Sequence, residues 1–317
     1  RKNPGKKKYE IEFLLNSFKK NQRESNNYQL LISEFKIENS QFYHLSKNSN
    51  EESKNIDIQH FKLFNLNLLL NNTSLDNNLF FSKISDLKFQ HEKGFNISSV
   101  NADLYLDSTK LNLVNLKLET PNSTFNSDNI ILNLDFKNDF LLLENMETRL
   151  SSIDYNLFFN RQLDTTLKLN FNTHFSGSSS SIKLKDLSLN YQSSSLEGDF
   201  EIQDFSNENL VSYFFNLESN TILVNDLISL QENINLKIPP LALKQLKKIN
   251  NFDFQISGNG NNEEIKSNLE FVSSTGEIVG DLHFFKNNSS DIFYHFNIDA
   301  KKISGISLLD NNNTENF

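Results

Sequence analysis

Short runs in which apolar and polar residues alternate, each closed by a polar turn, recur along almost the whole chain. Examples are Leu66–Asn67–Leu68, Leu111–Asn112–Leu113, Leu132–Asn133–Leu134–Asp135–Phe136, Leu167–Lys168–Leu169–Asn170–Phe171, Phe252–Asp253–Phe254–Gln255–Ile256 and Phe293–Tyr294–His295–Phe296–Asn297–Ile298. Successive side chains of a strand point to opposite faces, so each run has one oily and one wet side. Leu111 and Leu113 share one parity while Leu116 and Leu118 share the other; a bulge at Leu113–Val114 keeps both halves facing one interior. Connections of a few residues are too short for parallel crossovers, so neighbours in sequence pair antiparallel. About fifteen such strands laid in one sheet span ~70 Å, an elongated object.

Helical spacing is rare. Ile11, Leu14, Leu15 and Phe18 predict a short amphipathic helix. A second follows Pro239–Pro240, with Leu241, Leu246 and Ile249 packed on the sheet and Lys244, Lys247 and Lys248 in water. Ser206–Leu217 is a third candidate. A doubly wound α/β domain needs a helix after nearly every strand and is excluded. The alternation alone fits a sandwich, a closed barrel or an open sheet whose oily face lines a groove.

Acidic residues number 40 against 31 basic, a net charge of -9 that leaves no basic stripe for nucleic acid. With 0 Cys there is no disulfide framework, thiolate metal site or thiol nucleophile. The densest apolar run, Phe140–Leu143, is far below the ~20 residues of a spanning helix. The excess of Asn, Lys and Phe reads as the imprint of an AT-rich genome. Among the 6 His, no two lie three or four residues apart, which gives no metal-ligand spacing. His283 and His295 fall in predicted strands, on the polar face or rim. Asp135, Asp199, Asp253 and Asp281 alternate with apolar residues as on a solvated strand face, and Ser176–Ser181 is a plain turn. Gly94, Gly258, Gly260 and Gly276 read as turn residues. No catalytic residue, metal site or cofactor is expected, and the chain is expected not to be an enzyme.

Two ordered series of motifs carry a family resemblance. The first is His91–Glu92–Lys93–Gly94–Phe95–Asn96–Ile97 with Val100–Leu104, then Leu116–Lys117–Leu118–Glu119–Thr120–Pro121–Asn122–Ser123. The second is Leu187–Leu189 with Ser195–Phe200, then Ile238–Pro239–Pro240–Leu241, Phe252–Gly260 and Ser274–Thr275–Gly276–Glu277–Ile278. Together they resemble the AsmA-like proteins of Bacteroidota known as TamB-type translocation and assembly modules. At one point the chain departs from the pattern: the family's Thr-x-x-Gly is here Ser273–Ser274–Thr275–Gly276.

The resemblance implies a mainly β fold: an elongated, curved, mostly antiparallel open sheet, the β-groove or β-taco, with a few short amphipathic helices. It implies a leading helix and first strand over 1–50 and a continuous repetitive groove over 51–317, with sub-units 51–180 and 181–317, in a fragment of a much longer chain. It further implies a periplasmic bridge between inner and outer membranes, anchored by an N-terminal helix that precedes this sequence. Its partners would be phospholipid acyl chains and, through other parts of the full-length protein, an outer-membrane barrel. The implied role is non-catalytic phospholipid transport and outer-membrane biogenesis. The alternative is a scaffold that assists assembly or export of outer-membrane proteins. On this reading the lumen is lined by Leu132, Leu134, Phe136, Leu167, Leu169, Phe171, Phe252, Phe254, Ile256, Phe296 and Ile298, with Leu241, Leu246 and Ile249 packing a helix onto it.

Overall fold

The computed structural model describes residues 29–45, 60–76, 79–134, 140–159, 167–207, 210–234, 240–286 and 292–302. Its strands are β1 (Gln29–Leu45), β2 (His60–Asp76), β3 (Leu79–His91), β4 (Asn96–Ile97), β5 (Ser99–Leu106), β6 (Lys110–Glu119), β7 (Thr124–Asn133) and β8 (Leu141–Ser151). They continue as β9 (Lys168–Gly177), β10 (Ile182–Tyr191), β11 (Ser194–Gln203), β12 (Ser212–Leu223), β13 (Asn251–Asn261), β14 (Glu264–Ser273), β15 (Gly276–Lys286) and β16 (Ile292–Lys301). All belong to one 16-stranded sheet in chain order, with only β4 off the path beside β3. Pairings such as β1 with β2 and β15 with β16 are antiparallel, as short connections require. The first and last strands are not joined, so the sheet is open, elongated and curved.

Three helices interrupt the meander: α1 (Ser152–Phe159) after β8, then α2 (Val224–Ile234) and α3 (Pro240–Leu246) between β12 and β13. The expected Pro-led helix is α3. The expected helix over Ser206–Leu217 is instead mostly strand, because Tyr213, Phe215 and Leu217 alternate and pair with Gly260, Gly258 and Ile256 of β13. The segment Ile11–Phe18 lies outside the described residues. Gly258 and Gly260 are not turn residues either, since both stand inside β13.

Six residues well inside strands have left-handed backbones: Asn39, Asn65, Asn72, Asn115, Asn145 and Asp186, with φ between 44° and 54°. Asn and Asp tolerate this region best among non-glycine residues, which gives the Asn surplus a structural use. Register slips accompany them, as between Ile37 and Ser40, Leu143 and Met146, and Leu184 and Leu187. A bulge frees a backbone N–H, and here a side chain on the next strand accepts it. Asn39 N–H donates to Asn67 Oδ1 (3.2 Å), Asn145 N–H to His174 Nδ1 (3.3 Å) and Asp186 N–H to Asp199 Oδ1 (2.9 Å). The kink foreseen at Leu113–Val114 sits at Asn115, and Leu113, Leu116 and Leu118 accordingly meet in one cluster.

Only two clusters are truly buried. One gathers Phe95, Ile97, Val100, Ala102 and Leu116; the other gathers Val224, Ile249 and Phe252 beneath α2 and α3.

Candidate functional site

Cross-strand partners share a face, so the register traces rows of side chains running across the strands. One row starts at Leu30 and passes Leu75, Phe80, Leu106, Leu111, Leu132 and Leu141. It continues through Gly177, Ile182, Ile202, Tyr213 and Gly260 to Ile265, Phe284 and Tyr294. It therefore crosses every strand of the path. Two residues further along each strand a second row runs from Leu104 through Leu113, Ile130, Leu143, Phe175 and Leu184. Phe200, Phe215, Gly258, Ser267, Leu282 and Phe296 complete it. Neither row contains a charged residue. Most of these side chains are half-buried, touching lateral neighbours with nothing above them, and Tyr294 is 65% exposed.

The residues singled out from sequence fall as follows. Leu132 is in the first row and Phe296 in the second, while Ile256 and Ile298 share the next row with Leu269 and Gly280. Leu169 and Phe171 have the parity of Phe175 on β9, and Phe252 and Phe254 that of Ile256 on β13, so all stand on this same face. Leu167 precedes β9 and Phe252 opens β13; at 3% and 9% exposure both are covered. Leu134 lies in the turn after β7, its N–H donating to Thr109 O (2.7 Å). Phe136 is outside the described residues. Leu246 and Ile249 join the cluster around Phe252, and Lys244 and Lys247 are exposed; the side chain of Leu241 is outside the described set.

One end of this face is roofed. There α2 lays Leu227 and Ile228, and α3 Leu246, against Phe252, Phe254 and Phe271. A polar latch fixes the helix. Asp226 Oδ2 accepts from Ser193 N–H (3.1 Å) and Ser194 Oγ (2.8 Å), while Ser194 Oγ accepts from Leu223 N–H (2.9 Å). The same latch occurs at α1: Asp154 Oδ2 accepts from Thr120 Oγ1 and Ser123 Oγ (2.5 Å each), and Ser123 Oγ accepts from Ser151 N–H (3.0 Å). Each Asp sits in its helix's first turn, where the dipole favours a carboxylate. Ser123 and Ser194, Ser151 and Leu223, and Asp154 and Asp226 recur at a spacing of 71 or 72 residues. Four strands and a helical wall thus form a structural repeat. Sequence reading missed it, although its hairpins Thr120–Ser123 and Tyr191–Ser194 lie in or beside the motifs quoted above.

The opposite face is wet. Lys183 and Glu201 pair at 2.6 Å, and the Lys183 hydrogen bond, helped by Gln203, holds the Glu201 carboxyl below its ordinary range. Lys266 first and His283 second do the same for Glu264. His283 stands directly opposite His295 on β16 and bonds Glu264 (2.7 Å). No group of three or more potential metal ligands exists among the described residues. Nor is any described helix long and apolar enough to cross a membrane. No protein-family model, curated protein or solved structure matches this chain. What the arrangement offers physically is an open apolar floor, able to serve as a non-catalytic conduit or scaffold.

Proposed function

We propose that this chain is a segment of a non-catalytic, lipid-conducting groove, of the kind the AsmA-like resemblance implies, bridging the periplasm and serving phospholipid transport and outer-membrane biogenesis. The observation that carries this reading is the uncharged row from Leu30 to Tyr294, which crosses every strand of the path uncovered. Acyl chains laid along it leave water at a gain of ~0.8 kcal/mol per CH₂. Headgroups stay hydrated at the unroofed rim, since burying them without partners is costly. The helical walls at the other strand ends make that rim the side of entry. A photoreactive amino acid at Ile202, in the row, is expected to capture phospholipid during expression in a cell envelope. The same probe at Glu201, on the wet face, is expected to capture none. Equal capture at both positions, or none at Ile202, overturns the proposal.

A second reading, a scaffold for outer-membrane proteins, is favoured by the edges: β1 and β16 each pair on one side only among the described residues. A client strand would extend the sheet by backbone pairing. Proline substitutions along β16 would then abolish client capture and leave lipid capture at Ile202 intact.

A further inference from the structure

We infer that Phe–Gly pairs set the depth of the groove floor and fit it to slender, unbranched acyl chains; this rests on the lipid-conducting reading. Of the 9 glycines in the chain, Gly177, Gly198, Gly258, Gly260, Gly276 and Gly280 stand on the apolar face. Glycine weakens a strand interior, so its concentration on one face calls for a local reason. At Gly177 the reason is a ring: Cζ and Cε1 of Phe175 lie 2.8 and 2.9 Å from where a Cβ would stand, and the next atom, Ser181 O, is 3.9 Å away. At Gly258 the Phe215 ring does the same, its Cζ 2.7 Å from the missing Cβ, beside Ser267 Cβ at 2.8 Å. Gly280 is overlaid by Ile298, whose Cγ1 is 3.2 Å from the Cβ position.

Both rings therefore lean along the sheet into space that glycine vacates, an arrangement known to support glycine in strands. Upright side chains fill the ~10 Å between two packed sheets; rings laid down leave that depth empty. Phe175 bridges the second row to the first on β9, and Phe215 reaches from β12 to β13, so the floor is level where the rows pass from one structural repeat to the next. A straight chain lying across the strands keeps apolar contact over this stretch without meeting a standing ring.

Gly177→Ala tests the idea cleanly, because its backbone is not left-handed and the added methyl meets only the movable ring end. The full chain is incubated with a photoreactive palmitate and the labelled peptides are identified. Wild type is expected to label around Leu141 and Ile182; Gly177→Ala lowers this about ten-fold, as overpacking by one methyl predicts. Phe175→Ala/Gly177→Ala removes the raised ring and restores labelling, with circular dichroism and thermal unfolding of Gly177→Ala unchanged. The Gly177 Hα resonances carry an upfield ring-current shift in wild type and lose it in Phe175→Ala. Labelled wild type with equally labelled Gly177→Ala overturns the clearance role alone, as does a double variant no better than Gly177→Ala or an absent ring-current shift. Unlabelled wild type overturns the conduit reading and the clearance role with it.

Discussion

The two ends of the apolar face are made by the same strands and the same alternation, yet they differ in what lies above them. At the latched end, α2 and α3 roof the sheet around Phe252, and residues 92–98 fold over Val100, Ala102 and Leu116. At the other end the row from Leu30 to Tyr294 has lateral neighbours only. The latched end thus concentrates burial worth ~1.5–3 kcal/mol per fully covered large apolar side chain. The bare end recovers only part of that from cross-strand contacts. Consolidating one margin is enough to hold the strand ladder, and it leaves the other margin free to bind.

Breaking a latch should have the largest effect. Asp226→Ala leaves Ser193 N–H and the Ser194 hydroxyl without their acceptor beneath α2, and a cost of about 3 kcal/mol follows from losing hydrogen bonds to a buried carboxylate. Urea unfolding reads this from the midpoint at constant m. Stability in repeats is a sum of neighbouring units, so amide exchange should quicken across β10–β14 and stay slow in β5–β8. Asp154→Ala should give the converse pattern. Loss of protection spread evenly over both units, or a cost under about 1 kcal/mol, would mean the latches do not hold the roof.

A smaller effect belongs to His91, at the same end. Its ring is buried, Nδ1 accepts Lys93 N–H (3.1 Å) and Nε2 has no partner within the protein. Burial lowers its pKa from the ordinary 6.5. The folded state therefore keeps the ring neutral while the unfolded chain takes up a proton below about 6.5. Stability is complete above that pH and declines as pH falls beneath it, with a slope of at most ~1.4 kcal/mol per pH unit for one proton. His91→Phe should flatten stability between pH 7 and 5 relative to wild type. An unchanged slope would show that other groups govern it.

The bare end was the more legible of the two from sequence. Alternation in Leu132–Asn133, Leu169–Phe171 and Phe252–Ile256 announces both the strands and the face, because a period of two depends only on local sequence. The roof was less legible. α1 reads Ser-Ile-Asp-Tyr-Asn-Leu-Phe-Phe without a one-sided apolar stripe, and its latch joins residues 31 positions apart, from Ser123 to Asp154. Val224, Leu227 and Ile228 do have helical spacing, but they continue an apolar strand end without a break. The error over Ser206–Leu217 has the same origin: Phe214 and Phe215 are adjacent apolar residues, and only pairing with β13 assigns Phe215 to the floor and Phe214 to the wet side. The bulges were hidden because Asn is frequent everywhere, so only backbone geometry separates Asn115 and Asn145 from the rest.

The smallest effect on folding is also the one that joins the comparison to function. Leu111 and Leu116 are both on β6 and both on the apolar face, one in the bare row and one buried at 5% in the roofed cluster. Leu116→Asp places a carboxylate among Phe95, Val100 and Ala102, and an unpaired charge there costs several kcal/mol, enough to unfold that unit. Leu111→Asp puts the same group between Leu106 and Leu132, where water reaches it from the open side. Its cost should be about 1 kcal/mol, the loss of a partly covered leucine. Thermal unfolding of the two variants reads this difference directly. Leu111→Asp should nevertheless stop photoreactive palmitate from labelling the first row, because an acyl chain crossing β6 would have to strip water from the carboxylate. If Leu111→Asp unfolds the chain as far as Leu116→Asp does, the two ends are equally covered and there is no open floor for a lipid to cross.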